Sequence, residues 1–233
     1  MFLFAHVFLG AFIGLGFWHL TRDRRALPLC IIGAILPDLL DKSLALLLPA
    51  FFGSGRTLGH SLIFFSIAIA AGILIWHYRR TLLGIAFACA IVSHQIIDEM
   101  WNVPSTWYYP LMGPFPIFII LDYIGHYFWL EVSNPSEWVF ACASLLIIAL
   151  WYTGLPEHRI PFLTSRGITS ACFVSAVLLG IVGVCLFFFG LAAIPHAFVA
   201  PTYDPVTNVM AGLVALCGAV VLVKWPGQDR GIQ

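Results

Sequence analysis

A histidine and an aspartate lie four residues apart near the end of a long apolar segment, in the stretch SHQIIDEMW from Ser93 to Trp101. On an α-helix this spacing places the side chains of His94 and Asp98 on the same face, one turn apart. A neutral imidazole and a carboxylate in that arrangement can bind one divalent metal ion, and within a lipid bilayer both groups need a partner. The spacing therefore predicts one wall of a metal site.

Other apolar segments in the first half of the chain carry polar side chains of the same kinds. They are His6, Asp38 with Asp41, and Arg56 with His60. Together with His94 and Asp98 they supply three histidines and three carboxylates from four segments, enough ligands for one or two metal ions. The first half of the chain is thus predicted to build a metal site.

The composition is that of a polytopic membrane protein. Hydrophobic residues make up 61% of the 233 residues, charged residues make up 9%, and the mean hydropathy is +0.97. A soluble domain has about a quarter of its residues charged. The predicted fold class is all-α, a helical membrane bundle with about seven transmembrane helices. We expect a single integral membrane domain over residues 1–233, with the metal site in 1–130 and supporting helices in 131–233.

Charge and cysteine usage narrow the function classes. The formal net charge is zero and there is no long basic run, which argues against a nucleic-acid partner and favours membrane lipids and small molecules. The six cysteines lie singly in apolar segments and are interpreted as small packing residues.

The apolar runs and the charges at their ends predict a topology. Runs long enough to cross a bilayer lie at about 2–20, 27–48, 58–77, 82–101, 136–152, 168–194 and 207–223. Arginines or lysines follow the first, third, fifth and seventh runs, which all end on one face. The positive-inside rule then predicts a multi-pass protein of the cell inner membrane with its N-terminus outside and its C-terminus in the cytoplasm. This orientation puts all the unusual polar residues of the first half in the outer layer of the membrane.

The connection after the fourth run is predicted to cover the outer mouth of the bundle. Residues 102–116 contain four prolines, which we expect to prevent a helix, and are rich in aromatic residues. The apolar piece at about 115–130 is expected to be re-entrant or interfacial. Its Asp122 and His126 repeat the four-residue spacing and are second-tier site candidates, as is Ser61 directly after His60. Ser61 is either a ligand-orienting hydroxyl or an ordinary helix residue.

Metal-assisted hydrolysis fits this set of residues better than its rivals. There is no nucleophile motif of the G-x-S-x-G kind and no glycine-rich phosphate loop. The alternative is a proton- or cation-coupled transporter, which also places Asp and His within the membrane, although no inverted repeat is visible. A third interpretation is that the polar residues only form hydrogen bonds between helices.

Three short motifs resemble those of a known family. LPDLLDK at Leu36 to Lys42, RTLGHS at Arg56 to Ser61 and SHQIID at Ser93 to Asp98, after an early helix with His6, resemble the YdjM-like family of membrane-bound metal-dependent hydrolases. The pattern is also similar, more distantly, to that of zinc-dependent phospholipase C. The resemblance covers about the first 130 residues, and Gly55 stands where the family pattern has a histidine before the arginine.

The resemblance implies metal ligands and further roles. The implied ligands are His6, Asp38, His60, His94 and Asp98. Asp41 is a further implied ligand, and Arg56 is an implied cation facing the substrate or the ligands. The shared layer of polar residues adds the hypothesis that Asp41 or Glu99 is the general base or an orienting residue, and that the cofactor is one or two divalent ions, with Zn²⁺ the first choice. The expected substrate is an amphiphile from the outer leaflet, with a phospholipid-type ester the first choice and an amide or other lipid bond as alternatives.

Overall fold

The computed structural model describes residues 3–117, 122–153, 165–194 and 205–224. The described chain is built from helices and turns, which confirms the predicted all-α class. The helices are α1 (Leu3–Thr21), α2 (Ala26–Leu47), α3 (Pro49–Phe52), α4 (Leu62–Arg79), α5 (Leu83–Ile97), α6 (Pro104–Trp107), α7 (Tyr123–Val132), α8 (Pro135–Thr153), α9 (Ser165–Leu191) and α10 (Pro205–Lys224).

Five of these helices are long and apolar enough to cross a membrane. They are α1, α4, α8, α9 and α10. Helix α2 has 22 residues but carries Asp38, Asp41 and Lys42. Helix α5 is an apolar helix of 15 residues, a length of about 22 Å at 1.5 Å per residue. The chain is therefore a multi-pass membrane protein, while the total of seven crossings stays a prediction.

The helix boundaries differ from the apolar runs at the places that carry polar residues. Helix α4 begins at Leu62, not near residue 58, so His60 lies in the preceding turn. Helix α5 ends at Ile97, although the apolar run continues to Trp101. The expectation of no helix in residues 102–116 is wrong at one point, because α6 forms a single turn. It begins at Pro104, a position whose missing N–H group costs no hydrogen bond in a first turn.

The chain divides into two compact units. One consists of Met1–Phe8 with Val132–Gln233, and the other of Leu9–Glu131. Helix α1 contributes its first residues to the former unit and the rest to the latter. Asp38, His60, His94 and Asp98 all belong to the unit Leu9–Glu131, which we call the site unit.

Small residues bring the backbones of α1, α2 and α5 close together in the site unit. A Cβ atom on Gly10 would lie 2.7 Å from the carbonyl oxygen of Cys30, and one on Gly33 would lie 2.7 Å from that of Phe87. The buried residues Cys30, Ala34, Ala86 and Ala90 form the contact between α2 and α5. Because helices in lipid associate through close packing, these small residues allow the short distance between α2 and α5.

The other unit, Met1–Phe8 with Val132–Gln233, is held together by a buried carboxylate and by aromatic packing. Glu137 on α8 accepts hydrogen bonds from the backbone N–H groups of Phe4 (2.8 Å) and Ala5 (3.3 Å) at the start of α1. Its negative charge there also complements the helix dipole. Phe8 packs on Phe140 with ring centroids 5.4 Å apart. Helices α9 and α10 pack closely at Gly183 and Gly212.

Replacing Gly72 with valine should destabilise the site unit. A Cβ atom on Gly72 would lie 2.7 Å from the backbone of Gly84, so α4 and α5 would have to separate, at a cost of about 1–3 kcal/mol. The measurement is thermal unfolding in detergent. Gly16→Val is the matched control, because nothing lies within 4 Å of a Cβ atom at Gly16. Equal stability of the two variants would contradict this packing.

Candidate metal centre

Four buried side chains from three segments converge on one point of the site unit. Asp38 (α2), His60 (the turn before α4), His94 (α5) and Asp98 (the residue after α5) each offer one ligand atom, and these atoms all lie within 4.8 Å of one another. Carboxylate oxygens and imidazole nitrogens are the ligands that zinc and similar divalent ions take in proteins. The group is therefore able to hold a metal ion.

Asp41 fixes the orientation of His60. One oxygen of Asp41, Oδ2, lies 2.7 Å from Nδ1 of the His60 ring. Because a carboxylate only accepts hydrogen bonds, Nδ1 carries the proton and Nε2 is the unprotonated nitrogen of the neutral ring. Asp41 also accepts hydrogen bonds from the backbone N–H groups of Thr57, Gly59 and His60. Its two oxygens thus hold both the imidazole and the turn that carries it.

A backbone carbonyl does the same for His94. The Nδ1 atom of His94 lies 2.6 Å from the carbonyl oxygen of Ala34 on α2. A carbonyl oxygen is also only an acceptor, so His94 too presents an unprotonated Nε2 in its neutral form. Pro37 lies within α2, where it lacks an N–H group for the helix ladder. The close approach of α2 and α5 described above is what makes the contact between His94 and Ala34 possible.

When both rings are neutral, the two unprotonated nitrogens face each other. The distance between Nε2 of His60 and Nε2 of His94 is 3.1 Å. Around them, the carboxylate oxygens of Asp38 and Asp98 lie 3.5–3.9 Å from the same nitrogens. A tetrahedral ion with bonds of about 2.0–2.2 Å separates its ligand atoms by about 3.3–3.6 Å. The distances between the nitrogens and the carboxylate oxygens lie in this range or slightly above it, and the distance between the two nitrogens lies slightly below it.

The turn before α4 is shaped by two further contacts. A Cβ atom on Gly59 would lie 2.8 Å from both Cα and O of Pro37, so only glycine allows the turn to approach α2 this closely. The side-chain amide of Gln95 donates to the carbonyl oxygens of Gly59 and Ser61 at 3.0 Å each. The turn is thereby tied to both α2 and α5.

Ser61 is a helix cap. Its hydroxyl accepts a hydrogen bond from the N–H of Phe64 at 3.3 Å and donates one to the carbonyl of Leu58 at 2.6 Å. Ser61 therefore caps the helix, while a role in orienting a ligand stays a prediction. The cap starts α4 directly after His60, which explains why the helix begins later than the apolar run.

Two cations lie on the exposed side of the ligand group. The ammonium of Lys42 is 2.6 Å from Oδ2 of Asp38, and the guanidinium of Arg56 is 3.2 Å from Oδ2 of Asp98. The side chain of Lys42 is 34% exposed and that of Arg56 is 40% exposed, whereas both carboxylates are buried. The two cations therefore mark the accessible edge of the site.

Glu99 adds a further buried carboxylate next to Asp98. Its backbone adopts the left-handed conformation (φ +53°), which is unfavourable for a residue with a Cβ atom but commonly ends a helix. The amide of Asn102 donates to its Oε2 at 3.0 Å. This conformation ends α5 and turns the chain towards the proline-rich segment.

That segment, residues 102–116, packs on the turn that carries Arg56. The Thr106 hydroxyl donates to the carbonyl oxygen of Arg56 at 3.2 Å, and the rings of Phe52 and Phe115 lie 6.0 Å apart. Three buried polar atoms nearby have no hydrogen-bond partner within the described parts of the chain: Thr57 Oγ1, Gln95 Oε1 and Trp107 Nε1. Such atoms need a ligand or ordered water, since buried polar groups are almost always satisfied.

The roles of the remaining predicted site residues stay predictions. His6 is buried and belongs to the other compact unit. Asp122 is exposed, with a positive φ of +51°, and accepts a hydrogen bond from the N–H of Gly125. The side chain of His126 lies outside the described residues, as do residues 118–121 of the piece expected to be re-entrant.

Sequence reasoning missed three contributors to the site. Lys42 is four residues after Asp38, so the helical spacing that singled out His94 and Asp98 was available for it. Gln95 is an amide within an apolar helix, which also signals a buried partner. The Ala34 carbonyl left no trace in the sequence, because every residue carries one.

These features define a multi-pass helical membrane protein with a buried Asp-His-His-Asp group within its bundle. The family model of the YdjM inner membrane protein matches residues 1–190. The chain therefore belongs to the YdjM inner membrane protein family. No curated protein and no solved structure matches it closely enough to count as similar.

Replacing Asp41 with asparagine should disturb both stability and metal binding. The amide would retain one acceptor but turn an NH₂ group towards N–H donors, at a cost of about 1–3 kcal/mol. Loss of an orienting partner typically weakens metal affinity about 10–100-fold. Thermal unfolding and metal titration of the purified protein measure the two effects. Asp122→Asn is the control, because that carboxylate is exposed and its accepting oxygen is retained. Identical behaviour of the two variants would refute the role given to Asp41.

Proposed function

We propose that this protein is a membrane-embedded, metal-dependent hydrolase that cleaves a phosphoester or another ester of a lipid-like substrate from the extracytoplasmic side. The observation that carries the proposal is the pair of imidazoles, each of which donates through Nδ1 and turns its Nε2 towards the other at 3.1 Å. Two lone pairs at this distance repel each other unless a cation lies with them. The arrangement therefore favours a bound metal ion.

The charges around the group support the same conclusion. Asp38, Asp41, Asp98 and Glu99 are buried carboxylates; Lys42 contacts Asp38, and Arg56 contacts Asp98. With neutral imidazoles, these six side chains carry two more negative charges than positive charges. Buried charge without compensation is costly, most of all in a bundle surrounded by lipid. A divalent cation among these carboxylates lowers that cost.

The proposed cofactor is one or two Zn²⁺ or similar divalent ions, held by Asp38, His60, His94 and Asp98. Such an ion supplies Lewis acidity and lowers the pKa of a water molecule. His6 is retained as a further ligand on the strength of the family resemblance alone. The lipid substrate, the ion's identity and the orientation of the termini, with the N-terminus outside, belong to the proposal.

Asp41, Glu99 and Arg56 have different proposed roles in the reaction. Asp41 orients His60, because its oxygens already accept four N–H groups and so are poorly suited to removing a proton from water. That leaves Glu99, buried beside Asp98, as the proposed general base. Arg56, half-exposed and in contact with Asp98, would stabilise negative charge that develops on a phosphoryl oxygen.

A second candidate function rests on the same contact. If one imidazole is protonated, an N–H···N hydrogen bond accounts for the 3.1 Å between the two Nε2 atoms. A proton shared by two buried histidines and flanked by aspartates is what a proton-coupled transporter would use. This alternative predicts protein that folds without a metal and releases no product from an ester.

Purified protein should contain a divalent metal ion in stoichiometric amount. His94→Gln and Asp98→Asn should each remove most of it, because each deletes one ligand from a set of four. Elemental analysis of the folded, monodisperse protein provides the measurement. His77→Gln is the matched control, since that imidazole is exposed and lies at the end of α4. Metal-free wild-type protein with an intact fold would rule out the hydrolase.

Sealed membrane vesicles that contain the protein should release phosphate or a headgroup from a short-chain phospholipid. Right-side-out vesicles should release product and inverted ones should not, because the site is proposed to open on the extracytoplasmic side. Glu99→Gln should lower the rate about 10²–10⁴-fold while metal content stays unchanged, as expected for a general base. Transport of the lipid without product in either orientation would favour the second candidate function.

A further inference from the structure

The accessible edge of the candidate metal centre carries two cations on two different carboxylates. Lys42 contacts the Asp38 oxygen that faces away from the imidazoles, and Arg56 contacts Asp98. Both side chains remain partly exposed, so both reach from the buried ligands to the surface. The sequence motifs assigned a role to Arg56 and none to Lys42.

Lys42 lies on an apolar stripe of α2. Leu39, Lys42 and Leu46 are spaced three and four residues apart, which places them on one face of the helix. Leu39 is 62% exposed and Leu46 is 50% exposed. The helix therefore presents apolar surface on either side of a cation whose ammonium group reaches the metal centre. An amphiphile with an anionic head matches this surface in both charge and polarity.

We propose that Lys42 and Arg56 together form an oxyanion-binding subsite that holds the phosphoryl group of an amphiphilic substrate at the edge of the metal centre. Lysine supplies three N–H donors around a point charge, and arginine supplies a planar fork that matches phosphate oxygens. The exposed leucines of α2 receive the adjoining part of the apolar chain. The subsite deepens the hydrolase proposed above by naming the group that the enzyme must recognise.

The test uses full-length, metal-loaded protein in an uncharged detergent and two probes with the same head group. Methylphosphonate presents the anionic head group almost without an apolar part, and hexylphosphonate adds an apolar chain. The carbon–phosphorus bond is not an ester, so binding is measured by calorimetry whether or not the protein is a hydrolase. Failure of the hydrolase and failure of the subsite are therefore distinguishable.

Both probes should bind the wild-type protein. Lys42→Met and Arg56→Met should each weaken methylphosphonate binding about tenfold or more, because each removes a charge-assisted hydrogen bond. Lys42→Arg should stay within about threefold of the wild type, since it keeps the charge. Arg25→Met is the matched control: it removes an exposed arginine paired with Asp23, about 25 Å from Lys42 along α2. Its affinity should be unchanged.

Two results would overturn the subsite. One is Lys42→Met with unchanged methylphosphonate affinity, which would make Lys42 only the ion-pair partner of Asp38. The other is loss of the metal from Lys42→Met, which would mean that Lys42 acts by holding Asp38 in place. Hexylphosphonate should bind about tenfold tighter than methylphosphonate, because a longer chain buries more apolar surface. Equal affinity would contradict an amphiphilic ligand and indicate free phosphate.

Discussion

The candidate site depends on two hydrogen bonds made by the far sides of two imidazole rings. Asp41 accepts a hydrogen bond from Nδ1–H of His60, and the Ala34 carbonyl accepts one from Nδ1–H of His94. Each bond fixes a tautomer and a ring orientation, so both Nε2 atoms become acceptors that face the same point. If either bond were absent, the ring could rotate or exchange its proton, and the ligand atoms of Asp38 and Asp98 would face a donor.

Close packing of the helices in the site unit makes these two hydrogen bonds possible. Glycine and alanine let α2 and α5 approach until a backbone carbonyl of one reaches an imidazole of the other. Gly59 lets the intervening turn approach α2 closely, and a hydrogen bond from Gln95 ties the turn to α5. The same closeness excludes lipid and water from the carboxylates, which raises the cost of leaving their charge unbalanced. Packing and electrostatics thus favour the same outcome, a cation at the centre of the group.

The other compact unit, Met1–Phe8 with Val132–Gln233, differs from the site unit in the role of its buried polar groups. Two of its buried polar side chains cap helices: Glu137 accepts hydrogen bonds at the start of α1, and Asn134 accepts one from the backbone N–H of Ser136 at 3.1 Å. Helices α9 and α10 are apolar and pack through glycines. These features stabilise a membrane bundle and bring no comparable ligand group together in the parts of this unit that the structure describes.

The amino-acid sequence by itself determined the all-helical membrane class, because hydropathy and length act locally, and it determined that His94 and Asp98 share a face, because helical spacing is local too. It could also indicate that the polar residues of four apolar segments need partners. Only the tertiary structure decided which partners they have. Asp41 became the holder of His60, Ser61 a cap and Lys42 a neighbour of Asp38, since these roles depend on where α4 and α5 end and on how closely α2 is approached. Such contacts arise between segments distant in sequence, and a backbone carbonyl such as that of Ala34 has no residue type by which a sequence could reveal it.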